Sequence, residues 1–259
     1  MTWNEFHWFA IPGMLCWTLA GALPLTRKKA LADKAMLAGT LIFALFIAAL
    51  WMGQERPPLR TMGETRLWYS FFLSLAGYVT YKRWNFPWLP GFSGGMACIF
   101  ACINLLRPEI HSITLMPALQ SWYFIPHVTA YMFSYAMFGV AALAAAVQLR
   151  KMRRGELDAR LFVLLDNSVY IGFGFLMLGM ITGAVWAKEA WGQYWSWDPK
   201  ETWALVTAAA YLACIHMRLR NQHQKFILWF LHVAFIFLMI TWIGVNYLPS
   251  AQNSVHVYS

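Results

Sequence analysis

The sequence predicts an all-α, polytopic membrane protein of about eight transmembrane helices with both termini outside, and three observations carry the prediction. Of its 259 residues, 60% are hydrophobic and only 12% are charged, against roughly 25% charged in an ordinary soluble domain. Apolar stretches near the length of a bilayer crossing, about 20 residues, recur along the whole chain. Basic residues are dense in every second loop and sparse in the others, the pattern that fixes membrane orientation. The polar stretches are loop-sized, so residues 1–259 read as a single integral membrane domain.

Taken in order, the apolar stretches run over 7–25, 35–52, 67–81, 88–106, 128–149, 161–186, 202–217 and 226–248. The opening "MTWNEFHWFA" lacks the positive region of a cleavable signal, so the first stretch reads as the first membrane helix. The third and seventh are short and must begin earlier or sit where the bilayer is thinned. Arg27, Lys28, Lys29 and Lys34 follow helix one; Lys82 and Arg83 follow helix three. Arg150, Lys151, Arg153, Arg154 and Arg160 follow helix five, and Arg218, Arg220 and Lys225 follow helix seven. The alternate loops hold fewer than half as many: Arg56, Arg60, Arg66, Arg107, Lys188 and Lys200. The first set belongs in the cytoplasm. The net charge of +9 is therefore mostly topological, and nucleic acid drops out as a partner. Cys16, Cys98, Cys102 and Cys214 all lie in apolar stretches without a CxxC spacing, which argues against a disulfide framework or a redox pair.

One external loop stands apart. "WGQYWSWDPKE", residues 191–201, lies between helices six and seven. Its bland reading is an interfacial tryptophan belt followed by a helix start, with Asp198 as N-cap, Pro199 at the first helical position and Glu201 closing a capping box. A sharper reading follows if 190–198 is helical: Trp191, Tyr194, Trp195 and Asp198 then share one face and form an aromatic plate ending in a carboxylate. Haem, flat and apolar with a polar edge, suits such a plate, with axial ligands supplied from elsewhere. Among the seven histidines, His127 at the outer mouth of helix five and His256 in the outer tail are placed to approach this loop. His216 and His232 lie within helices seven and eight, where an ionisable group is a functional candidate by default. A helix-to-helix hydrogen bond is the plain alternative for either; His7 and His111 are weaker outer candidates.

"WGQYWSWDPKETWAL" resembles the tryptophan-rich WWD signature of the membrane proteins of cytochrome c synthesis, with the signature loop at 187–201. The DPKE ending is most similar to the CcsA/ResC branch of the system II pathway. "RPPLRTMGETRLWYSFF" (56–72), "LQSWYFIPHVTAYMFSYA" (119–136), "ACIHMRLR" (213–220) and "VNYLPSAQNSVHVYS" (245–259) resemble further segments of that branch. The resemblance implies a holocytochrome c synthase of the bacterial cytoplasmic membrane. It would bind and export non-covalent haem b and present it for thioether attachment to the CxxCH of apocytochrome c. His127 and His256 would be axial ligands at an external site. Trp191, Gly192, Tyr194, Trp195, Trp197 and Asp198 would contact the ring there, and His216 would serve an intramembrane site. The implied partners are a CcsB/ResB-type membrane protein, which supplies a second intramembrane histidine, and a thioredoxin-like thiol reductase. Arg56, Arg60, Arg66 and Lys200 are equivalent candidates for the propionates. Two rivals remain: a b-type electron-transfer protein clamping haem between His216 and His232, and a haem-free transporter or scaffold.

Overall fold

The computed structural model describes residues 2–26, 28–59, 61–112, 121–220 and 223–249. Among these it contains eight α-helices and no β-strand: α1 (Phe6–Ala22), α2 (Lys29–Gln54), α3 (Met62–Trp84), α4 (Leu89–Leu106), α5 (Phe124–Met152), α6 (Ala159–Trp191), α7 (Pro199–Leu219) and α8 (Gln224–Trp242). Each apolar stretch falls on one of them. The two short stretches lengthen at their N-termini, because capping boxes at Thr61/Glu64 and Asp198/Glu201 start α3 and α7 before the apolar run begins. The last apolar stretch shortens: α8 ends at Trp242 and the chain continues as a 3-10 turn over Gly244–Tyr247. Gly244 is a poor helix former, and Pro249 cannot continue a helix.

Six helices, α2 and α4 to α8, are long and apolar enough to cross a membrane. Of the other two, α1 is 17 residues long, and α3 carries Glu64, Arg66, Lys82 and Arg83 within its span.

The chain divides into two compact units, Met1–Ser121 and Trp122–Ser259. In the first, α1 packs on α2 and α4, and α3 packs on α2 and α4, closing a four-helix arrangement around Trp17, Phe43, Phe46 and Leu67. Its α2–α3 connection is tied by Arg56, whose guanidinium donates to both Glu64 oxygens at 2.9 and 3.1 Å. Glu64 is fully buried and also accepts from the Thr61 amide, so one carboxylate caps α3 and anchors the loop before it.

In the second unit each helix packs on the next, and α5 also packs on α8, closing a second four-helix ring. The α5–α6 pair is the most extensive. Its turn is short, with Gly155 at φ 76° and Asp158 capping α6 through the Arg160 and Leu161 amides. The Lys151 ammonium beside Asp158, with those amides, holds its carboxyl below the usual carboxylate range.

Candidate functional site

The tryptophan-rich segment is not one helix. α6 ends at Trp191, Gly192 turns the chain out at φ 82°, and residues 192–198 are irregular until α7 begins at Pro199. The expected single helical face carrying Trp191, Tyr194, Trp195 and Asp198 is therefore corrected. A left-handed residue at the helix end favours glycine, and the Lys188 ammonium fixes the turn by donating to the Gly192 carbonyl at 2.7 Å. Trp197 adopts φ 59°, a conformation costly for a large side chain, and is 68% exposed.

The loop is held from α7. Asp198 accepts from the Lys200 amide at 3.0 Å, as the N-cap reading expects. Glu201 does more than close the capping box. One of its oxygens accepts from the Ser196 amide at 2.8 Å, the Ser196 hydroxyl at 3.3 Å and the Asp198 amide at 3.2 Å. Thr202 donates its hydroxyl to the Trp197 carbonyl. Trp195 and Trp197 meet edge to face at 5.9 Å, and Tyr194 lies under the Lys188 ammonium. The segment is thus an exposed aromatic loop pinned at both ends.

His127, in the first turn of α5, is joined to this segment through Trp186. Its ring stacks on Trp186 at 5.5 Å, and Trp186 meets Trp191 edge-on at 4.7 Å. Nδ1 of His127 lies 2.8 Å from the Gly179 carbonyl. A carbonyl only accepts, so Nδ1 carries the hydrogen, and in the neutral imidazole Nε2 keeps the lone pair. That is the tautomer of an imidazole that ligates metal through Nε2. Three α6 glycines face side chains of α5. A Cβ at Gly183 would lie 2.5 Å from Nδ1 of His127, one at Gly179 2.9 Å from the Tyr131 ring, and one at Gly172 2.8 Å from the Phe138 ring.

His216 lies in the last turn of α7 and is exposed. Near it, Arg218 grips Asp166 of α6 through two hydrogen bonds of 2.7 and 2.6 Å and donates to Gln224 at the start of α8. This fork ties three helices at the His216 end. His232 donates Nδ1–H to the Leu228 carbonyl one turn back.

His256 and Arg60 lie outside the described residues. Of the other propionate candidates, Arg56 is committed to Glu64, whereas Nη1 of Arg66 is buried with no hydrogen-bond partner among the described residues. Lys200 follows Asp198 in the first turn of α7. His111 belongs to the first unit, stacked on Trp3 at 3.8 Å, and burial lowers its pKa below the ordinary 6.5.

Sequence reasoning missed Trp186, Glu201's three-donor role, Asp166 and the α6 glycines. An aspartate inside an apolar stretch was a legible signal for Asp166; glycines at 172, 179 and 183, whole turns apart, were the signal for a closely approached helix face.

A family model described as Cytochrome C assembly protein matches residues 8–251. The chain is 31% identical to a protein named "Cytochrome c biogenesis protein CcsA" from Prochlorococcus marinus (strain MIT 9515), over 83% of this chain and 81% of that protein. A protein of the same name from Mesostigma viride is 31% identical over 85% of this chain and 84% of its own length. One from Synechococcus sp. (strain RCC307) is 29% identical over 92% and 88%.

Proposed function

Because the chain belongs to the cytochrome c assembly protein family and so takes part in cytochrome c biogenesis, we propose that it carries haem across the membrane and presents it for covalent attachment to apocytochrome c. One observation carries this reading above the others. His127 presents Nε2 with its lone pair while Nδ1–H is spent on the Gly179 carbonyl, and the same imidazole leads through Trp186 into the exposed tryptophan loop. An axial histidine beside an aromatic ledge is what a flat metal macrocycle needs.

Haem b is here cargo and substrate, bound without a covalent bond. His216, exposed near one end of α7, takes it up with a histidine of a CcsB/ResB-type partner. At the outer site His127 and His256 fill both axial positions, which keeps oxygen from the iron. Trp191, Tyr194, Trp195 and Trp197 contact the ring. Asp198 and Gly192 act through the loop: one caps α7 and the other ends α6, so the aromatic residues between them keep their places. The CxxCH thiols of the apocytochrome then add across the two vinyl groups. Each sulfur bonds to a vinyl carbon and the thiol hydrogen goes to the neighbouring carbon, with no net oxidation. A thioredoxin-like reductase keeps those thiols reduced. The protein contributes position and protection, while cofactor and thiols supply the chemistry. The positive-inside pattern supports an orientation with the loop and both termini on the outer side, which for a bacterial protein is the outer face of the cytoplasmic membrane.

The test is the optical spectrum of the protein purified with a CcsB-type partner, wild type against His127→Ala with His256→Ala. A six-coordinate ferrous haem spectrum that collapses in the double variant supports the outer site. An unchanged spectrum moves the haem to the intramembrane histidines and removes the outer site, and its loss in His232→Ala then favours the electron-transfer protein. A protein without haem in both samples sinks the reading.

A further inference from the structure

The contact that sets the tautomer of His127 comes from α6, and α6 has no side chain at the points of contact. Gly179 supplies the carbonyl that receives Nδ1–H at 2.8 Å, and the same oxygen accepts the Thr182 hydroxyl at 3.2 Å. Gly183 supplies the space. A Cβ there would lie 2.5 Å from Nδ1 and 2.6 Å from Cε1 of the imidazole, inside any real carbon contact. An alanine at 183 therefore overlaps the two ring atoms nearest the hydrogen bond. The ring must turn away from the Gly179 carbonyl, and the Nδ1–H hydrogen bond to that carbonyl is lost. The obstruction cannot be relieved by a swing along α5, because Trp186 stacks on the ring at 5.5 Å and Tyr131 packs edge-on against it at 4.7 Å.

Resting on the reading of His127 as an iron ligand, we propose that Gly183 and the Gly179 carbonyl are its positioning pair: together they fix both the orientation of the imidazole and the nitrogen offered to the metal. The hydrogen bond also raises the basicity of the ligating nitrogen, as outer contacts to metal-bound histidines do.

The other α6 glycines provide the controls. Gly172 meets the Phe138 ring at 2.8 Å, a clash of the same kind on the same helix, farther from the histidine. Gly174 has nothing within 4 Å of where its Cβ would lie.

The experiment compares Gly183→Ala, Gly172→Ala and Gly174→Ala, each co-purified with the CcsB-type partner, by two readouts. In haem-free protein labelled with nitrogen-15 at histidine, the His127 signals, assigned by their loss in His127→Ala, report which ring nitrogen carries the hydrogen. In haem-loaded protein the visible spectrum and haem retention report the ligand. The expected result is a loss of the Nδ1–H signature and roughly 10- to 100-fold weaker haem retention in Gly183→Ala alone, with added imidazole restoring the six-coordinate spectrum. Wild-type signals in Gly183→Ala overturn the inference. The same change in Gly172→Ala also overturns it, because the effect is then general loosening of the α5–α6 pair. A tautomer change with an intact haem spectrum removes His127 from the iron, and with it the function reading beneath the inference.

Discussion

Single carboxylates organise more of this protein than their number suggests. Glu201 gathers three donors onto one oxygen, two of them from the residue between Trp195 and Trp197. Glu201→Ala is expected to cost about 1–2 kcal/mol, the range of a lost helix cap, and to raise the accessibility of the loop tryptophans to a fluorescence quencher. Its isostere Glu201→Gln retains the acceptor and much of the order. Glu64 is fully buried with Arg56 as its counter-charge. Arg56→Ala removes that counter-charge and its two hydrogen bonds and should lower stability by about 3 kcal/mol, whereas Arg56→Ala with Glu64→Gln recovers most of the loss, since a neutral amide needs less compensation. Thermal unfolding in detergent measures both. His111 titrates in the opposite sense to a paired histidine. Burial disfavours its imidazolium, so its folded pKa lies below the unfolded 6.5. Its contribution is fully present above 6.5 and is lost as the pH falls toward the folded value. Melting temperatures taken between about pH 7.5 and about pH 5.5 should fall on acidification, with a shallower fall in His111→Gln, which no longer titrates. Of these residues Glu201 was expected in advance, as the partner of Asp198 in a capping box; the Thr61–Glu64 box is written in four consecutive positions just as plainly and was missed. The burial of Glu64 and His111 depends on segments far away in the chain.

At the scale of the element, helix existence follows from apolar runs and caps, and helix pairing from small residues placed where backbones meet. A Cβ at Gly21 of α1 would lie 2.8 Å from the Gly91 Cα of α4, whereas one at Gly91 meets nothing nearer than 3.6 Å. The obstacle at Gly21 is backbone and cannot turn aside. Gly21→Ala should therefore destabilise by about 1–3 kcal/mol as an overpacked contact does, while Gly91→Ala should be neutral or slightly stabilising through helix propensity. Neither the asymmetry nor the partner can be read from periodicity, which says that two glycines lie on helices and nothing of which faces meet. The broken tryptophan segment teaches the same lesson. Positions 191, 194, 195 and 198 have helical spacing, but Gly192 ends α6 inside it, and the local preference of one glycine outweighs the pattern of four side chains.

For the molecule as a whole, the charge pattern carries a prediction of its own. Glu156 and Gln193, both exposed in the turns after α5 and α6, should lie on opposite sides of the membrane. Glu156→Cys should react with a membrane-impermeant thiol reagent only in inverted vesicles, and Gln193→Cys only in intact cells. Labelling of both from one side would remove the proposed topology. The sequence by itself determined the class, the eight helices, the cap of α7 and, through its signature segments, the family. Those properties are local or compositional: apolar length, charge per loop and short runs of consecutive residues decide them. Only the tertiary structure decided that Trp186 joins His127 to the tryptophan segment. It also decided that a carbonyl of α6 selects the nitrogen His127 presents. These rest on which helix faces meet within the second unit, and that is set by packing between residues about 50 positions apart, a scale at which the chain's own periodicity is silent.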